Sequence, residues 1–229
     1  MLAETLERFN RKERHWLIRD ALGPAAAKLD ESFLKRVEQA VRSRDPGFHI
    51  DLKARWAIDY HLDWLVAALH ILEHGEASAR QPRSNGAGLV KGNQQDIDLI
   101  IVSGTTLVLV EAKGVGSWPG GGLKEKVDRL RSMTPCLISH NGRAGDFSVH
   151  FVLCSPHIGG ELSSEDWPEW AKSNGKPVRM QLHVAPPRKR ILKVERCDGA
   201  SRRDAEGKHW RVLEDMVANM LPKVGEADS

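Results

Sequence analysis

Residues 96–114 read DIDLIIVSGTTLVLVEAKG, two short apolar runs around a turn with charged residues at both outer ends. The alternation of side chains predicts a hairpin of two β-strands. It places Asp96 and Asp98 on one face of the first strand, and Glu111 and Lys113 on one face of the second. Buried charge is costly unless it is paired or holds a metal ion. The hairpin therefore indicates either a catalytic site or a network of ion pairs.

The length of the hairpin loop decides which residues face each other. Pairing residue 102 with either 105 or 107 places Asp98, Glu111 and Lys113 on one face, whereas a three-residue loop separates them. In the 102–107 register, Asp98 lies directly opposite Glu111, with Cβ atoms about 5 Å apart. Two carboxylates at that distance repel each other unless a cation or a proton lies between them. Mg²⁺ or Mn²⁺ would meet that need, because Mg²⁺ binds carboxylate oxygens, waters and a substrate phosphate.

The rest of the chain predicts a mixed α/β fold in which helices cover a sheet. The predicted helices span 3–21, 31–43, 58–74, 123–133, 165–173 and 213–221. The predicted strands span 86–91 (a weak one), 96–102, 105–113, 135–139, 148–154, 178–185, 190–197 and 209–213. We expect three segments: a helical N-terminal extension over 1–55, a core over 56–185, and a basic C-terminal hairpin and helix over 186–229.

Composition favours a globular protein of the cytoplasm. The 229 residues are 41% apolar and 28% charged, which is ordinary for a chain that buries a core. The charged N-terminus lacks the apolar segment of a signal peptide, and no apolar run approaches the roughly 20 residues that span a bilayer. Three widely spaced cysteines are typical of reduced thiols. We expect no membrane partner.

Basic residues concentrate near the C-terminus. Residues 188–211 contain nine Lys or Arg and four acids, which leaves +5 there against +3 for the whole chain. Such a segment suits a phosphate backbone, although a solvated surface hairpin explains it equally well. The candidate nucleic-acid contacts are Arg188, Lys189, Arg190, Arg202 and Arg203.

Asp98, followed by Glu111-Ala112-Lys113 at the end of the next apolar strand, resembles the D…(D/E)XK signature of the PD-(D/E)XK nuclease superfamily. The resemblance implies a restriction-endonuclease-like αβββαβ core and covers less than half of the chain. Ile97 stands where the name-giving proline of the family would be.

The resemblance also implies roles for individual residues. Asp98 and Glu111 would bind the metal together with the carbonyl of Ala112, and Lys113 would be the catalytic lysine. Many family members add an acid from the first core helix, and Asp63 occupies that place here, as an Asp rather than a Glu.

Two further groups are accessory candidates. Asp96 shares the face of Asp98, but it would also serve as a strand cap or as a partner of Lys113. Lys126 and Arg129 lie on neighbouring turns of the predicted helix 123–133, where they would either reach phosphate or form an exposed helix face.

The function expected from these features is Mg²⁺- or Mn²⁺-dependent hydrolysis of phosphodiester bonds in DNA. Two alternatives remain open: a catalytically inactive nucleic-acid-binding module of the same fold, and a structural protein with an ion-pair cluster over 96–113. A homodimer is compatible with the first function, since many enzymes that cut both strands of a duplex act as dimers.

Overall fold

The structure is a computed structural model that describes residues 1–23, 27–92, 95–114, 118, 122–138, 147–156, 162–183 and 192–214. Its helices are α1 (Leu2–Phe9), α2 (Glu13–Leu22), α3 (Glu31–Arg42), α4 (Leu62–His74), α5 (Glu76–Ala79), α6 (Leu123–Ser132) and α7 (Thr134–Ile138). Its strands are β1 (Arg55–His61), β2 (Asp96–Ser103), β3 (Thr106–Ala112), β4 (Ser148–Ser155), β5 (Lys172–Ser173), β6 (Lys176–Gln181), β7 (Leu192–Cys197) and β8 (His209–Glu214).

Six strands form one mixed sheet in the order β1-β2-β3-β4-β6-β5. Strands β1, β2 and β3 are antiparallel neighbours, whereas β4 runs parallel to β3 and β6 runs parallel to β4. Helices α6 and α7 lie in the chain between β3 and β4, which is the crossover that a parallel pair requires. Strands β7 and β8 pair with each other in a second, two-stranded sheet. The predicted mixed α/β class is confirmed.

The two faces of the large sheet are covered by different helices. Helices α1, α4, α6 and α7 pack on one face, where they share a hydrophobic cluster with Ile100, Leu107 and Leu109. Helix α3 packs on the other face against Ile101, Val108 and Val110. By strand alternation, Asp98 and Glu111 belong to the face that α4 and α6 cover.

The β2–β3 hairpin adopts the register that places Asp98 opposite Glu111. Val102 pairs with Leu107 and Ser103 pairs with Thr106, so the 102–107 alternative is confirmed. The connecting loop consists of Gly104 and Thr105 alone, and Gly104 has a φ of 60°, which glycine adopts without steric cost.

The helix predicted over 58–74 begins only at Leu62. Residues 55–61 form β1 instead, which pairs antiparallel with β2 from Arg55–Val102 to His61–Asp96. Residues 86–91, predicted as a weak strand, contain no strand. The strand that precedes β2 in the sheet therefore lies before α4 in the chain. Pairing with β2 decided the conformation of this segment, and its local pattern did not contain that information.

The single helix predicted over 3–21 is two helices, α1 and α2. Asn10 ends α1 in an extended conformation, and its Oδ1 accepts a hydrogen bond from the Lys12 amide at 3.2 Å. Lys12 then reaches across the molecule to Asp96, with 2.6 Å between Nζ and Oδ2. A tertiary contact therefore interrupts a segment whose local pattern favours a continuous helix.

Other predictions had mixed outcomes. The helices predicted over 31–43 and 123–133 correspond to α3 and α6, and the strand over 148–154 corresponds to β4. The strand predicted over 135–139 is wrong, because residues 134–138 form α7, with Pro135 in its first turn. A short apolar run such as PCLI does not distinguish strand from helix by its period. The helix predicted over 165–173 is reduced to a single 3₁₀ turn, Glu169–Ala171, followed by β5.

The C-terminal predictions are partly outside the described residues. Strands β6, β7 and β8 lie within or beside the predicted spans 178–185, 190–197 and 209–213. Residues 184–185, 190–191 and 215–221 of the predicted elements lie outside the described part of the chain.

The helices and the cysteines of the described residues can be compared with what the composition suggested. Within the described ranges, no helix has the length and apolar character needed to cross a membrane. Cys136, Cys154 and Cys197 are free thiols.

The buried strand residues should dominate stability. Replacing Leu109, which is fully buried beneath α4 and α6, by alanine should lower the free energy of unfolding by about 2–5 kcal/mol. Leu17→Ala on the exposed side of α2 should change it by only about 0.5 kcal/mol. Urea unfolding of both variants would check this, and equal losses would contradict the placement of the core.

Candidate active site

Five structural elements meet at one edge of the large sheet. Strand β1 ends there at His61, β2 begins there at Asp96, and β3 ends there at Ala112. The pairing of His61 with Asp96 across β1 and β2 fixes these ends side by side. Helix α4 starts at this edge immediately after β1, and α6 contributes Lys126 through its contact with Glu111.

Asp98 is tied to β3 by a hydrogen bond. Its Oδ2 accepts the backbone amide of Ala112 at 2.7 Å. The hairpin register continues from the Leu99–Val110 pair, so the next residues outward are Asp98 and Glu111. The two carboxylates therefore lie across from each other on neighbouring strands, as the sequence predicts.

Glu111 is largely buried, with a side chain that is 14% exposed. One carboxylate oxygen, Oε1, accepts a hydrogen bond from Nζ of Lys126, and the other, Oε2, is buried and accepts no hydrogen bond from the described part of the chain. Burial raises the pKa of Glu111 to about 7, since Lys126 only partly offsets the loss of hydration and the charge of Asp98 adds to the rise. An orphaned carboxylate oxygen is where a cation would bind most favourably.

Lys113 follows β3 on the same face as Glu111. Its amide donates to the carbonyl of Cys154 at 2.8 Å, which holds it beside β4. Its Nζ lies over the ring of Trp118, 5.9 Å from the centroid, and the indole in turn donates to Oγ of Ser155 at 3.3 Å. Lys113 is thus a positioned cation near the two acids.

Asp63, which was predicted as an additional metal ligand, interacts with a cation and with two backbone amides. It forms an ion pair with Arg129 of α6 and accepts the amides of Lys91 and Gly92 at 3.0 and 2.8 Å. Burial acts to raise the pKa of Asp63, but the two amides and Arg129 outweigh it and hold the pKa below its usual range. Asp63 therefore links α4 to α6 and to the segment 89–92 through these contacts.

Arg129 was expected either to reach phosphate or to belong to an exposed helix face, and both expectations are wrong. Its side chain is 1% exposed, and it also donates to the carbonyl of Leu89 at 3.0 Å. Lys126 is not on an exposed face either, since its side chain is 13% exposed.

Asp96 has two basic partners that the sequence did not suggest. Nζ of Lys12 lies 2.6 Å from Oδ2, and Nδ1 of His61 lies 3.0 Å from Oδ1. Lys12 is separated from Asp96 by more than eighty residues, so no local pattern connects the two. His61 could have been found only by recognising 55–61 as a strand paired with β2.

Strand β1 is distorted beside Asp98. Asp59 has a φ of 50°, and the paired residues skip from Ile58–Leu99 to Tyr60–Ile97, which leaves Asp59 across from Asp98. The side chain of Asp59 is held by Arg14 at 3.2 Å. A left-handed non-glycine residue stores strain, and such strain concentrates at functional sites.

The acids fit a hard divalent cation, but only as a partial shell. Within the described residues, no three His, Cys, Asp or Glu side chains are arranged to hold a metal ion by themselves. Mg²⁺ does not need such a group, because one or two carboxylates, waters and a phosphate commonly complete its shell. Asp98 and Glu111 supply oxygen donors of the right chemistry, and Oε2 of Glu111 makes no hydrogen bond within the described ranges.

Of the predicted nucleic-acid contacts in the C-terminal segment, only Arg202 and Arg203 lie in the described part of the chain. Arg188, Lys189 and Arg190 lie outside the described residues. Arg202 pairs with Asp198 at 2.8 Å, and Arg203 lies 3.7 Å from Glu195. Residues 192–214 contain six Lys or Arg and five acids, a net charge of only +1. The β7–β8 hairpin is therefore weakly charged and largely self-neutralised.

A cavity of about 550 Å³ lies along α4, away from the strand ends. Its polar lining includes His70, Glu73, His74 and Arg83, and it includes none of the acids at the sheet edge. The candidate site is therefore an open sheet edge rather than this cavity.

The raised pKa of Glu111 predicts a specific pH dependence. The folded state binds this proton more tightly than the unfolded state does, so Glu111 reduces stability as pH rises from about 4.5 to about 7. In chelator, the unfolding free energy of wild type should fall over this range by about 2–3 kcal/mol relative to Glu111→Gln. Glu125→Gln, an exposed change on the same helix as Lys126, is the control. Parallel curves for wild type and Glu111→Gln would contradict the assignment.

The Asp63–Arg129 pair predicts non-additive losses of stability. Asp63→Ala should cost about 3 kcal/mol, because it leaves the buried guanidinium without its counter-charge. The double variant Asp63→Ala/Arg129→Met should be less destabilised than Asp63→Ala alone, as measured by urea unfolding. A double variant that loses the sum of both single effects would argue against a structural ion pair.

Comparisons of the chain with protein-family models, with curated proteins and with solved structures find no match. The functional interpretation therefore depends on the geometry of the strand ends themselves.

Proposed function

We propose that this protein is a Mg²⁺- or Mn²⁺-dependent nuclease that hydrolyses phosphodiester bonds in DNA. The observation that carries the proposal is the placement of Asp98 opposite Glu111 at the open sheet edge, with Lys113 on the same face. Two facing carboxylates, one of them with an orphaned oxygen, form an anionic position that a divalent cation would neutralise.

The arrangement of elements supports a restriction-endonuclease-like core. Taking α3 as the first helix, the order α3-β1-β2-β3-α6-β4 is α-β-β-β-α-β, with α4 inserted between the first two strands. Helices α3 and α6 lie on opposite faces of the sheet. Under this proposal the first core helix is α3, and Asp63 belongs to an inserted helix, which fits its pairing with Arg129.

The metal would be held by Asp98, Glu111 and the carbonyl of Ala112, a residue whose backbone N–H donates a hydrogen bond to Oδ2 of Asp98. When bound, such an ion supplies Lewis acidity to a phosphate oxygen and lowers the pKa of a water. Lys113 lies at the same strand end as Glu111. It would therefore orient that water and stabilise the charge that develops on the phosphate. Lys126 neutralises Glu111 in the metal-free protein.

A second candidate function is structural. Glu111, Asp63 and Asp96 each have a cationic partner within the chain, namely Lys126, Arg129 and Lys12. This compensation is what an ion-pair cluster without catalytic activity would show. The two functions differ in their response to divalent ions, which makes them separable by titration.

The test combines metal binding with cleavage. Calorimetric titration of Mn²⁺ and Mg²⁺ should show binding to wild type and loss of binding in Asp98→Ala/Glu111→Ala. Nicking of supercoiled plasmid should fall by at least about 100-fold in the double variant and in Lys113→Ala, because charge stabilisation at the phosphate is lost. Glu125→Ala, which removes an exposed carboxylate of α6, should retain both properties.

Absence of metal binding by the wild type, with DNA present, would overturn the nuclease proposal and leave the ion-pair cluster. Binding of metal without nicking would overturn catalysis of this reaction while retaining the metal site. Nicking that survives in the double variant would show that a different site, or a contaminant, cuts the plasmid.

A further inference from the structure

We infer that the junction between α1 and α2 forms a nucleotide subsite beside the acids, in which Arg11 meets a backbone phosphate and Trp64 stacks on a base. The inference rests on the nuclease function proposed above and assigns a substrate contact to the N-terminal helices. It replaces the C-terminal hairpin as the expected contact with nucleic acid.

The subsite is a cavity of about 290 Å³ at the same sheet edge as the acids. Its lining consists of Arg11, Lys12, Glu13, His61 and Trp64. Four of these side chains are charged or titratable, and the fifth is an indole. A ligand that combines a charge with a flat aromatic ring matches this lining, and a nucleotide is such a ligand.

The break between the two helices is what brings Arg11 to the cavity. Lys12 is anchored to Asp96 by a largely buried ion pair, which fixes the chain at the junction. Arg11, the residue before it, is exposed and makes no ion pair or hydrogen bond with the described residues. A guanidinium without a partner among the described residues is available to a phosphate, which it binds in bidentate geometry.

Trp64 is held in place by other rings. Its indole contacts His61 with 4.3 Å between centroids and Tyr60 with 5.6 Å, both edge-on. Tyr60 is itself fixed by a hydrogen bond to the carbonyl of Leu6 at 2.9 Å. A partly exposed indole whose orientation is set by its neighbours provides a preformed stacking surface for a base.

The distance from the acids suits the next nucleotide of a bound strand. His61 and Lys12 both contact Asp96, which lies two residues from Asp98 along β2. Two residues of an extended strand span about 6.6 Å. A strand whose phosphate lies at Asp98 and Glu111 would therefore place a neighbouring nucleotide against His61 and Trp64.

Charge at the subsite is finely balanced. Lys12 is neutralised by Asp96, and Arg14 is paired with Asp59, so Arg11 is the cation left for a ligand. Glu13 is an exposed carboxylate in the same lining and opposes a phosphate. Removing the charge of Glu13 should therefore strengthen binding, whereas removing that of Arg11 should weaken it.

The experiment measures binding of a fluorescein-labelled single-stranded DNA of twelve nucleotides by anisotropy, in EDTA so that no cleavage occurs. Arg11→Ala and Trp64→Ala should each raise Kd by about 5- to 50-fold, the range expected for one phosphate contact or one stacked base. Glu13→Gln should lower Kd by about 2- to 5-fold. Trp64→Phe keeps an aromatic ring in the packing, so it should lose less affinity than Trp64→Ala. It serves as the control for misfolding of Trp64→Ala.

Two control variants match these changes elsewhere. Lys35→Ala removes an exposed cation from α3 on the opposite face of the sheet, and Trp210→Ala removes an exposed indole from the β7–β8 hairpin. Neither should change Kd. Wild-type affinity in Arg11→Ala and Trp64→Ala, or loss of affinity in Trp210→Ala alone, would overturn the subsite.

Failure of the subsite and failure of the nuclease proposal give different results. If plasmid nicking requires Asp98 and Glu111 but Arg11 and Trp64 do not affect DNA binding, only the subsite is wrong. If the oligonucleotide binds as expected but the wild type neither binds metal nor nicks plasmid, the subsite stands and the catalytic proposal is wrong.

Discussion

Repulsion between Asp98 and Glu111 is the constraint on which the sheet edge depends. The hairpin register forces these carboxylates to face each other, and half-buried negative charge requires compensation. Helix α6 supplies part of it, because the crossover between the parallel strands β3 and β4 brings Lys126 over Glu111. The same helix carries Arg129 to Asp63 at the start of α4. Both buried cations of α6 are thus paired with acids at this edge, Lys126 with Glu111 and Arg129 with Asp63.

The N-terminal helices provide a cation for Asp96, the next acid along β2, in the same way. Asp96 is compensated by Lys12, and Lys12 reaches it only because the chain leaves helical geometry after Phe9. Nearby, Asp59 adopts a left-handed conformation and is held by Arg14 of α2. The segment before β1 is therefore part of the charged edge, rather than an extension that merely covers the sheet.

The parts of the structure that local alternation controls were predictable from the sequence. The two strands of the β2–β3 hairpin and the shared face of Asp98 and Glu111 followed from the residues, whereas the direct Asp98–Glu111 pairing followed for only one of the two registers that were left open. Helix α3 was equally clear, since Asp30 caps it by accepting the amide of Phe33 at 3.0 Å.

Features that depend on distant contacts were not predictable. Residues 58–61 continue the apolar pattern of α4, and only their pairing with β2 makes them a strand. The helix break at Lys12 and the burial of Arg129 are likewise set by partners far away in the chain, Asp96 and Asp63. The sequence therefore identified the central acids and named Lys126 and Arg129, but not the acids with which they pair, and it did not identify Lys12.

Because ion pairs within the chain compensate the charge of these acids, folding does not depend on a bound metal ion. In small zinc domains the ion supplies the folding free energy, so the chain without metal is unfolded. Here Lys126, Arg129 and Lys12 pair with Glu111, Asp63 and Asp96 within the chain, and the large sheet has its own hydrophobic layers on both faces. A protein built this way reaches its native state in a chelating medium. Under the proposed function, an incoming ion would compete with the ammonium group of Lys126 for the already formed Glu111 carboxylate, so exchange rather than folding would set its affinity.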